Sequence, residues 1–176
     1  MPERSTTELT KPAETSRFRH NIPVADVRNP LLLRAIDLWQ RQRGDRRFPE
    51  RSEMTPRVLG GLLRNTVLVR VLDGGRDFEF RIVGDAIVAA QGASFQGYTT
   101  AQIEAALPGY GRMLKRVYGL AYETGEPSAF RGWFERGADG RAFFHESLVL
   151  PLGTGGVVDH LLILGVYAYS DTDVLR

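Results

Sequence analysis

The chain has 176 residues, which is long enough for one domain with a substantial hydrophobic core. Its 23 basic and 21 acidic residues leave a net charge of +2, so no strong overall field attracts nucleic acid. The lack of cysteine excludes disulfides, thiolate metal sites and cysteine nucleophiles. The positive charge is almost entirely arginine, which indicates a bacterial, GC-rich genome. Without a signal pattern or a span of about 18 apolar residues, we expect a cytoplasmic location and no membrane span.

The N-terminal part divides into a tail and a helix. Residues 1–28 are polar and without periodicity, which predicts a flexible tail with a short extended segment at 22–27. A single domain is predicted over 29–170, and its first element is a helix at 30–43, with Asn29 as the N-cap and Pro30 in the first position. An apolar stripe on this helix packs on the domain or on a second copy, and we predict a dimer and coupling role for it: Leu32, Ala35, Ile36 and Trp39.

A dense basic cluster follows that helix. It consists of Arg41, Arg43, Arg46 and Arg47. A solvated helix end, where arginine is favourable near the C-terminal dipole, explains it in the simplest way. Binding of a phosphate or nucleotide is the alternative.

The next stretch predicts a β-hairpin that turns into a short helix. Thr66–Leu72 and Asp77–Val83 are strand-like segments joined by a turn. We predict a structural corner after the second strand, in which Asp85 caps the short helix and Arg81, four residues earlier, pairs with it. The glycines of this corner are Gly84, where the strand bends, and Gly97, where the chain leaves the helix.

The second half of the chain changes from helix to strand. A short helix at 101–106 and a longer one at 111–124 are followed by strands at 128–134, 141–150 and 157–169. Two hairpin-forming groups separated by helices, without alternating strand and helix units, predict an antiparallel α+β fold with helices on one face.

This order of elements, together with several local phrases, resembles the PAS sensor family, in particular a stand-alone form found mainly in alphaproteobacteria. The phrases are LW at 38–39, RFP at 47–49, MTP at 54–56, FRIVGD at 80–85, FQG at 95–97, LVLPL at 148–152 and VD at 158–159. The resemblance implies a five-stranded antiparallel sheet in the order 2-1-5-4-3, helices on one face and an N-terminal helix. It also implies a sensory role.

Helices over a curved sheet leave a cavity, which is a common place for a small ligand. We predict that its lining includes Phe80, Ile87, Met113, Val117, Tyr118, Trp133, Phe144 and His145, although each of them is equally explained as plain core. His145 and Glu146 are strand neighbours and must face opposite ways. The three histidines, His20, His145 and His160, are far apart, so no metal site is predicted.

The sequence therefore predicts a non-enzymatic, PAS-like sensory or protein-interaction module that binds a small molecule or a signalling partner and forms a homodimer. No cofactor is required for this function. One alternative is a sensor that binds haem or flavin, with His145 as a candidate axial ligand of haem. The other is a small α+β enzyme with a cone-shaped fold, in which Glu146 or Asp159 serves as acid or base.

Overall fold

A computed structural model describes residues 20–135 and 141–176 of the chain. One antiparallel sheet contains all six strands, in the order β1-β4-β5-β6-β2-β3. The strands are β1 (His20–Ile22), β2 (Thr66–Leu72), β3 (Asp77–Val83), β4 (Ser128–Glu135), β5 (Ala142–Thr154) and β6 (Val157–Ala168). The helices are α1 (Pro30–Arg43), α2 (Pro56–Leu59), α3 (Asp85–Gln91), α4 (Thr100–Ala106), α5 (Tyr110–Thr124) and α6 (Asp171–Val174).

The predicted strand order is confirmed, because β3-β2-β6-β5-β4 is the order 2-1-5-4-3 of the five predicted strands. The sheet has one strand more than predicted. Strand β1 pairs with β4 at the sheet edge, so the predicted flexible tail of residues 1–28 is wrong for residues 20–28. Three residues are too few to show an alternating pattern, which is why the sequence did not reveal this strand. Residues 1–19 of the predicted tail lie outside the described residues.

The sheet is covered on both faces, as the register of its strands shows. Side chains alternate along a strand, so the odd and even residues of β5 point to opposite faces. Ser147 pairs with Phe130 and lies on the face covered by α3 and α5, which we call the inner face. Glu146 pairs with Arg131 and lies on the outer face, where it meets the start of α1. The helical middle of the chain and the N-terminal helix are therefore on opposite sides.

The apolar stripe of α1 packs on the chain's own domain. Leu32, Ala35 and Trp39 are buried, Ile36 is half-buried, and the indole Nε1 of Trp39 donates a hydrogen bond of 2.9 Å to the Pro151 carbonyl. Asn29 caps the helix by accepting a hydrogen bond from the Leu31 N–H. Because the stripe is used within the domain, these side chains are not available to a second copy. A coupling role for the helix stays a prediction.

The corner after β3 has a different ion pairing from the predicted one. Asp85 is the first residue of α3 and pairs with Arg64 at 3.0 Å, and Arg81 pairs with Glu79 at 3.1 Å. The predicted pair of Arg81 with Asp85 is wrong because Arg81 lies on a strand, where four residues span far more than one helical turn. Gly84 has an ordinary φ of −66°, but an added Cβ would lie 2.2 Å from the Arg64 carbonyl oxygen.

The segment after α3 runs along the edge of β3. The Phe80 N–H donates to the Tyr98 carbonyl at 2.9 Å, and the Gly97 N–H donates to the Phe80 carbonyl at 2.8 Å. Gly97 has a φ of +84°, in the left-handed region that favours glycine. The glycine of this corner thus lets the chain fold back and protect a sheet edge that would otherwise be open.

Asp77 fastens the start of α4 to the hairpin. Its carboxylate accepts hydrogen bonds from the Thr100 hydroxyl, from the Phe78 N–H at 2.9 Å and from the Ala101 N–H at 3.1 Å. Partial burial acts to raise the pKa of Asp77, but these hydrogen bonds outweigh it and lower the pKa below its ordinary value. The bonds therefore stabilise the fold only while the carboxyl group is ionised.

We expect Asp77→Asn to flatten the dependence of stability on pH. A carboxyl group with a lowered folded-state pKa stabilises the protein above its unfolded pKa, and this stability is lost as the pH falls through the folded pKa. Urea unfolding followed by tryptophan fluorescence, from neutral pH down to about pH 3, measures the free energy of unfolding. The variant should lose less of it on acidification than the wild type, and Asp73→Asn, in the exposed turn of the same hairpin, should behave as wild type. Equal losses for Asp77→Asn and wild type would contradict the assignment.

Candidate functional site

A cavity of about 40 Å³ lies on the inner face, between the helices α3 and α5 and the sheet. We call it the inner cavity. It has room for roughly one to three water molecules. Its lining comes from helices and strands alike: Val67, Phe80, Ile87, Gln91, Tyr110, Leu114, Val117, Tyr118, Phe130, Ser147, Val149, Ile163 and Tyr167.

The spacing of the helical lining follows from helix geometry. Ile87 and Gln91 are one turn apart on α3, and on α5 the residues 110, 114, 117 and 118 fall on one stripe. Tyr118 packs against the rings of Phe78 and Phe80 with centroid distances of 5.6 and 6.0 Å, which holds α5 to the hairpin. The cavity thus lies where α3 and the amphipathic helix α5 cross the inner face of the sheet.

Hydrogen bonding, and not acid–base chemistry, is what the lining offers. Its polar members are the amide of Gln91, the hydroxyl of Ser147 and three tyrosines, and it contains no aspartate, glutamate, histidine, lysine or arginine. An otherwise apolar cavity with a few polar groups is the usual form of a small-molecule site.

Half of the predicted cavity residues line it. Phe80, Ile87, Val117 and Tyr118 do so, and Met113 does not. Trp133 and Phe144 share the parity of Glu146 and so lie on the outer face, where their rings meet edge to face at 5.3 Å.

His145 is on the inner face but outside the cavity. Its side chain is fully buried, its ring stacks on Tyr167 at 5.6 Å, and the edge of Phe134 lies 6.2 Å away. His145 therefore packs within an aromatic group beside the cavity and is not part of its lining.

Most of the lining residues that the sequence did not predict lie on strands, and their orientation depends on the strand register. Phe130, Ser147 and Val149 are contributed by paired strands, and only the register shows that they face the same side as α5. Alternation along the strand at 141–150 was visible in the sequence, but it does not say which parity points inward. Gln91 was missed because the short helix α3 has no clear polar and apolar sides.

A buried charged cluster occupies the outer face opposite the cavity. The Glu146 carboxylate is completely buried and accepts hydrogen bonds from the backbone N–H groups of Arg28 (3.1 Å) and Asn29 (2.7 Å). It also pairs with the Arg131 guanidinium, whose Nε lies 3.0 Å from it. Arg131 donates in addition to the Asp26 carbonyl at 2.6 Å. We call these groups the Glu146 cluster.

The cluster joins both ends of the described chain to the sheet. The side chain of Asn29 caps α1 through its oxygen and donates through its nitrogen to the Val174 carbonyl in α6. Val174 is fully buried, and α6 rests on the outer face near β5 and β6. A glutamate inside the run 143–152, which is otherwise mostly apolar, is the sequence signal for such a buried pair.

We expect Glu146→Gln to destabilise the protein by about 3 kcal/mol, because it leaves the Arg131 charge without its buried partner. In addition, the NH2 group of the new glutamine side chain is a hydrogen-bond donor and would face the backbone N–H groups that now donate to the carboxylate. Glu79→Gln is the matched control, since Glu79 pairs with Arg70 and Arg81 near the surface, where such pairs contribute about 1 kcal/mol or less. Urea unfolding gives both values. Similar losses of unfolding free energy for the two variants would show that the buried cluster contributes no more to stability than an exposed ion pair.

Haem and flavin do not fit the inner cavity as described. Sites for molecules of drug size have volumes of about 300–1,000 Å³, several times the 40 Å³ found here. Aromatic rings enclose His145, the predicted candidate ligand of haem. In residues 20–135 and 141–176, three or more metal-ligating side chains nowhere converge, and none of the helices there has the length and apolarity to cross a membrane.

Comparison with known proteins identifies the family. A model of the PAS domain matches residues 27–167. The comparison with curated proteins gives no match. Similar solved structures include a Light-Oxygen-Voltage domain studied with a flavin analogue, which is 16% identical, with 67% of this chain and 86% of that chain covered and a TM-score of 0.47.

Two further structures have comparable likeness. The PAS domain of an HTR-like protein from Haloarcula marismortui is 20% identical, with 67% of this chain and 95% of that chain covered and a TM-score of 0.41. An RNA-binding Light-Oxygen-Voltage receptor is 19% identical, with 67% of this chain covered and a TM-score of 0.44; the match spans only 35% of that receptor. These TM-scores are too low to carry an argument, so the assignment rests on the family model and on the sheet itself. The chain belongs to the PAS domain family.

Proposed function

We propose that this PAS domain is a non-enzymatic sensory module that binds a small molecule in the inner cavity and signals by contact with a partner protein. The observation that carries the proposal is the pair of polar side chains, Gln91 and Ser147, in a cavity that α5 closes over the sheet. They supply hydrogen bonds for one polar group, and a volume of about 40 Å³ limits the ligand to a few non-hydrogen atoms.

The proposed route out of the cavity passes through β5. Ser147 faces the cavity, and its neighbour Glu146 holds the N-terminal flank and, through Asn29, the C-terminal helix. A ligand that displaces β5 at Ser147 moves Glu146 as well, because the two are bonded neighbours on one strand. A ligand shifts the conformation only by its difference in affinity between two states. The flanks are thus the surface from which a partner would sense occupancy.

The chemistry of the lining supports a non-enzymatic role. The enzyme alternative needs Glu146 or Asp159 in the cavity, but Glu146 is on the outer face and Asp159 is a half-exposed residue beside His160. Neither residue belongs to the lining. General acid–base catalysis needs a group within hydrogen-bond reach of the substrate.

Gln91→Leu tests the ligand site. Native mass spectrometry of the full chain as purified should show a small bound molecule, and the variant should lose it, because the isobutyl side chain of leucine is similar in size but cannot make the hydrogen bonds of the carboxamide. Gln40→Leu makes the same change on the exposed side of α1 and should keep the molecule. The absorbance spectrum of the same sample should lack flavin and haem bands.

Two outcomes would count against this site. A visible flavin or haem spectrum would show that the cavity opens far beyond its described volume. A bound molecule retained in Gln91→Leu but lost after Trp133→Ala would place the ligand on the outer face instead.

Dimer formation is a second part of the proposal. The buried stripe of α1 is not available for it, and the one large apolar side chain of this helix that is strongly exposed is Leu33, at 46%. We propose that two copies meet along this exposed side of α1. Bacterial origin and cytoplasmic location also stay predictions.

Leu33→Glu should shift the chain from dimer to monomer, because it places a charge in the proposed contact. Size-exclusion chromatography with light scattering at several protein concentrations measures the mass. Val58→Glu, at another exposed helical position, is the matched control and should leave the dimer intact. A wild-type chain that is monomeric at every concentration would refute the dimer.

A further inference from the structure

A second depression, of about 150 Å³, lies between the loop that follows α1 and the turn joining β5 to β6. We call it the basic groove. The residues that matter for its chemistry are Arg46, Arg47, Glu50, Gly155 and Gly156. It is remote from the inner cavity and shares no lining residue with it.

The loop and the turn are held together by packing and a backbone bond. The Gly153 N–H donates to the Pro49 carbonyl at 3.0 Å, and the buried Phe48 ring fills the space where a Cβ of Gly153 would lie, at 2.8 Å. The groove is thus a fixed feature of two segments more than 100 residues apart in the sequence, and not a chance gap between surface side chains.

Arg46 and Arg47 differ in what they have left to donate. Arg46 is ion-paired with Glu53, to which its Nη2 donates at 2.8 Å, and its Nε donates to the Arg43 carbonyl at 3.1 Å. Arg47 donates through Nη2 to the Thr124 carbonyl. The Nε–Nη2 side of its guanidinium lies against the end of α5 at Thr124 and Gly125, whereas Nη1 has no hydrogen-bond acceptor among residues 20–135 and 141–176 and can donate to a ligand.

The turn contributes backbone donors. Gly155 and Gly156 have φ values of +61° and +80°, and neither backbone N–H is used in a hydrogen bond by the described part of the chain. Consecutive N–H groups in a turn of this kind form concave sites that favour anions. The turn is also free of side chains, so a ligand can approach its backbone closely.

We propose that the basic groove binds a small oxyanion of the phosphate class, held by Nη1 of Arg47 and the N–H groups of Gly155 and Gly156. A volume of 150 Å³ is enough for a benzene-sized molecule, and a single phosphate group is no larger. A nucleotide base and sugar would have to remain outside. Arginine suits this role because its guanidinium is always charged and Nη1 alone carries two N–H donors.

Glu50 sets the charge of the groove. Its carboxylate accepts hydrogen bonds from the Ser52 hydroxyl and the Glu53 backbone N–H and lies in the groove wall, where it opposes an anion. With Arg46 balanced by Glu53, the net charge at the groove comes from Arg47 against Glu50. This predicts modest affinity for a dianion and a gain in affinity when Glu50 is neutralised.

Isothermal titration calorimetry of the full chain with sodium phosphate tests the site, with sodium chloride at equal ionic strength as the reference. We expect Arg47→Gln to weaken phosphate binding at least tenfold and Glu50→Gln to strengthen it severalfold. Arg76→Gln is the matched control, because Arg76 is also exposed and bonded to a backbone carbonyl, but in the β2–β3 turn. It should bind phosphate as wild type does.

Amide NMR of the labelled chain gives a second readout that does not depend on a variant folding correctly. Phosphate should shift the amide signals of Gly155 and Gly156, and glycerol phosphate should shift the same signals if the site accepts a monoester as well as the free ion. Shifts scattered over exposed arginines, equal weakening in Arg47→Gln and Arg76→Gln, or the same response to chloride would each overturn the proposal.

Discussion

The fold depends on the buried carboxylate of Glu146. Removing such a group from water costs several kcal/mol unless its partners restore the lost interactions. Here the partners are the Arg131 guanidinium and the backbone N–H groups of Arg28 and Asn29. Because two of the donors belong to the N-terminal flank, the sheet cannot bury this charge unless the flank is in place. Strand β1 and the start of α1 are thereby parts of the domain and not an appendage.

The same cluster makes the outer face a junction between distant parts of the chain. The Asn29 side chain donates a hydrogen bond to the Val174 carbonyl of the C-terminal helix, and the Arg131 guanidinium donates one to the Asp26 carbonyl. The inner face has a different character, with a small cavity closed by an aromatic contact between α5 and the hairpin. The paired strands β4 and β5 each contribute adjacent residues to both arrangements: Phe130 and Ser147 line the cavity, and Arg131 and Glu146 belong to the cluster. Any communication between the faces therefore has a short path, through the backbones of these two strands.

Much of the fold could be predicted from local sequence, whereas only half of the residues predicted for the cavity line it. The hairpin, the cap at Asn29 and the order of the central five strands are set by turn residues and periodicity close in the chain. The partner of Asp85 is 21 residues away, and the partner of Glu146 is 15 residues away across a strand pair. The remaining errors concern the face of the sheet on which a strand residue lies. The sequence shows that neighbouring residues around Phe144 point to opposite faces, but only tertiary packing determines which face is the inner one.

Helix α5 connects the inner cavity with the basic groove. Its first residues include Tyr110 in the cavity lining, and its last carbonyl, of Thr124, accepts from Arg47. Arg47 lies so close that a Cβ on Gly125 would come within 2.6 Å of its Cζ, so the end of the helix is shaped around this side chain. Arg47 is thus the contact through which the two sites would be coupled, and linkage requires any effect of one ligand on the affinity of the other to be reciprocal.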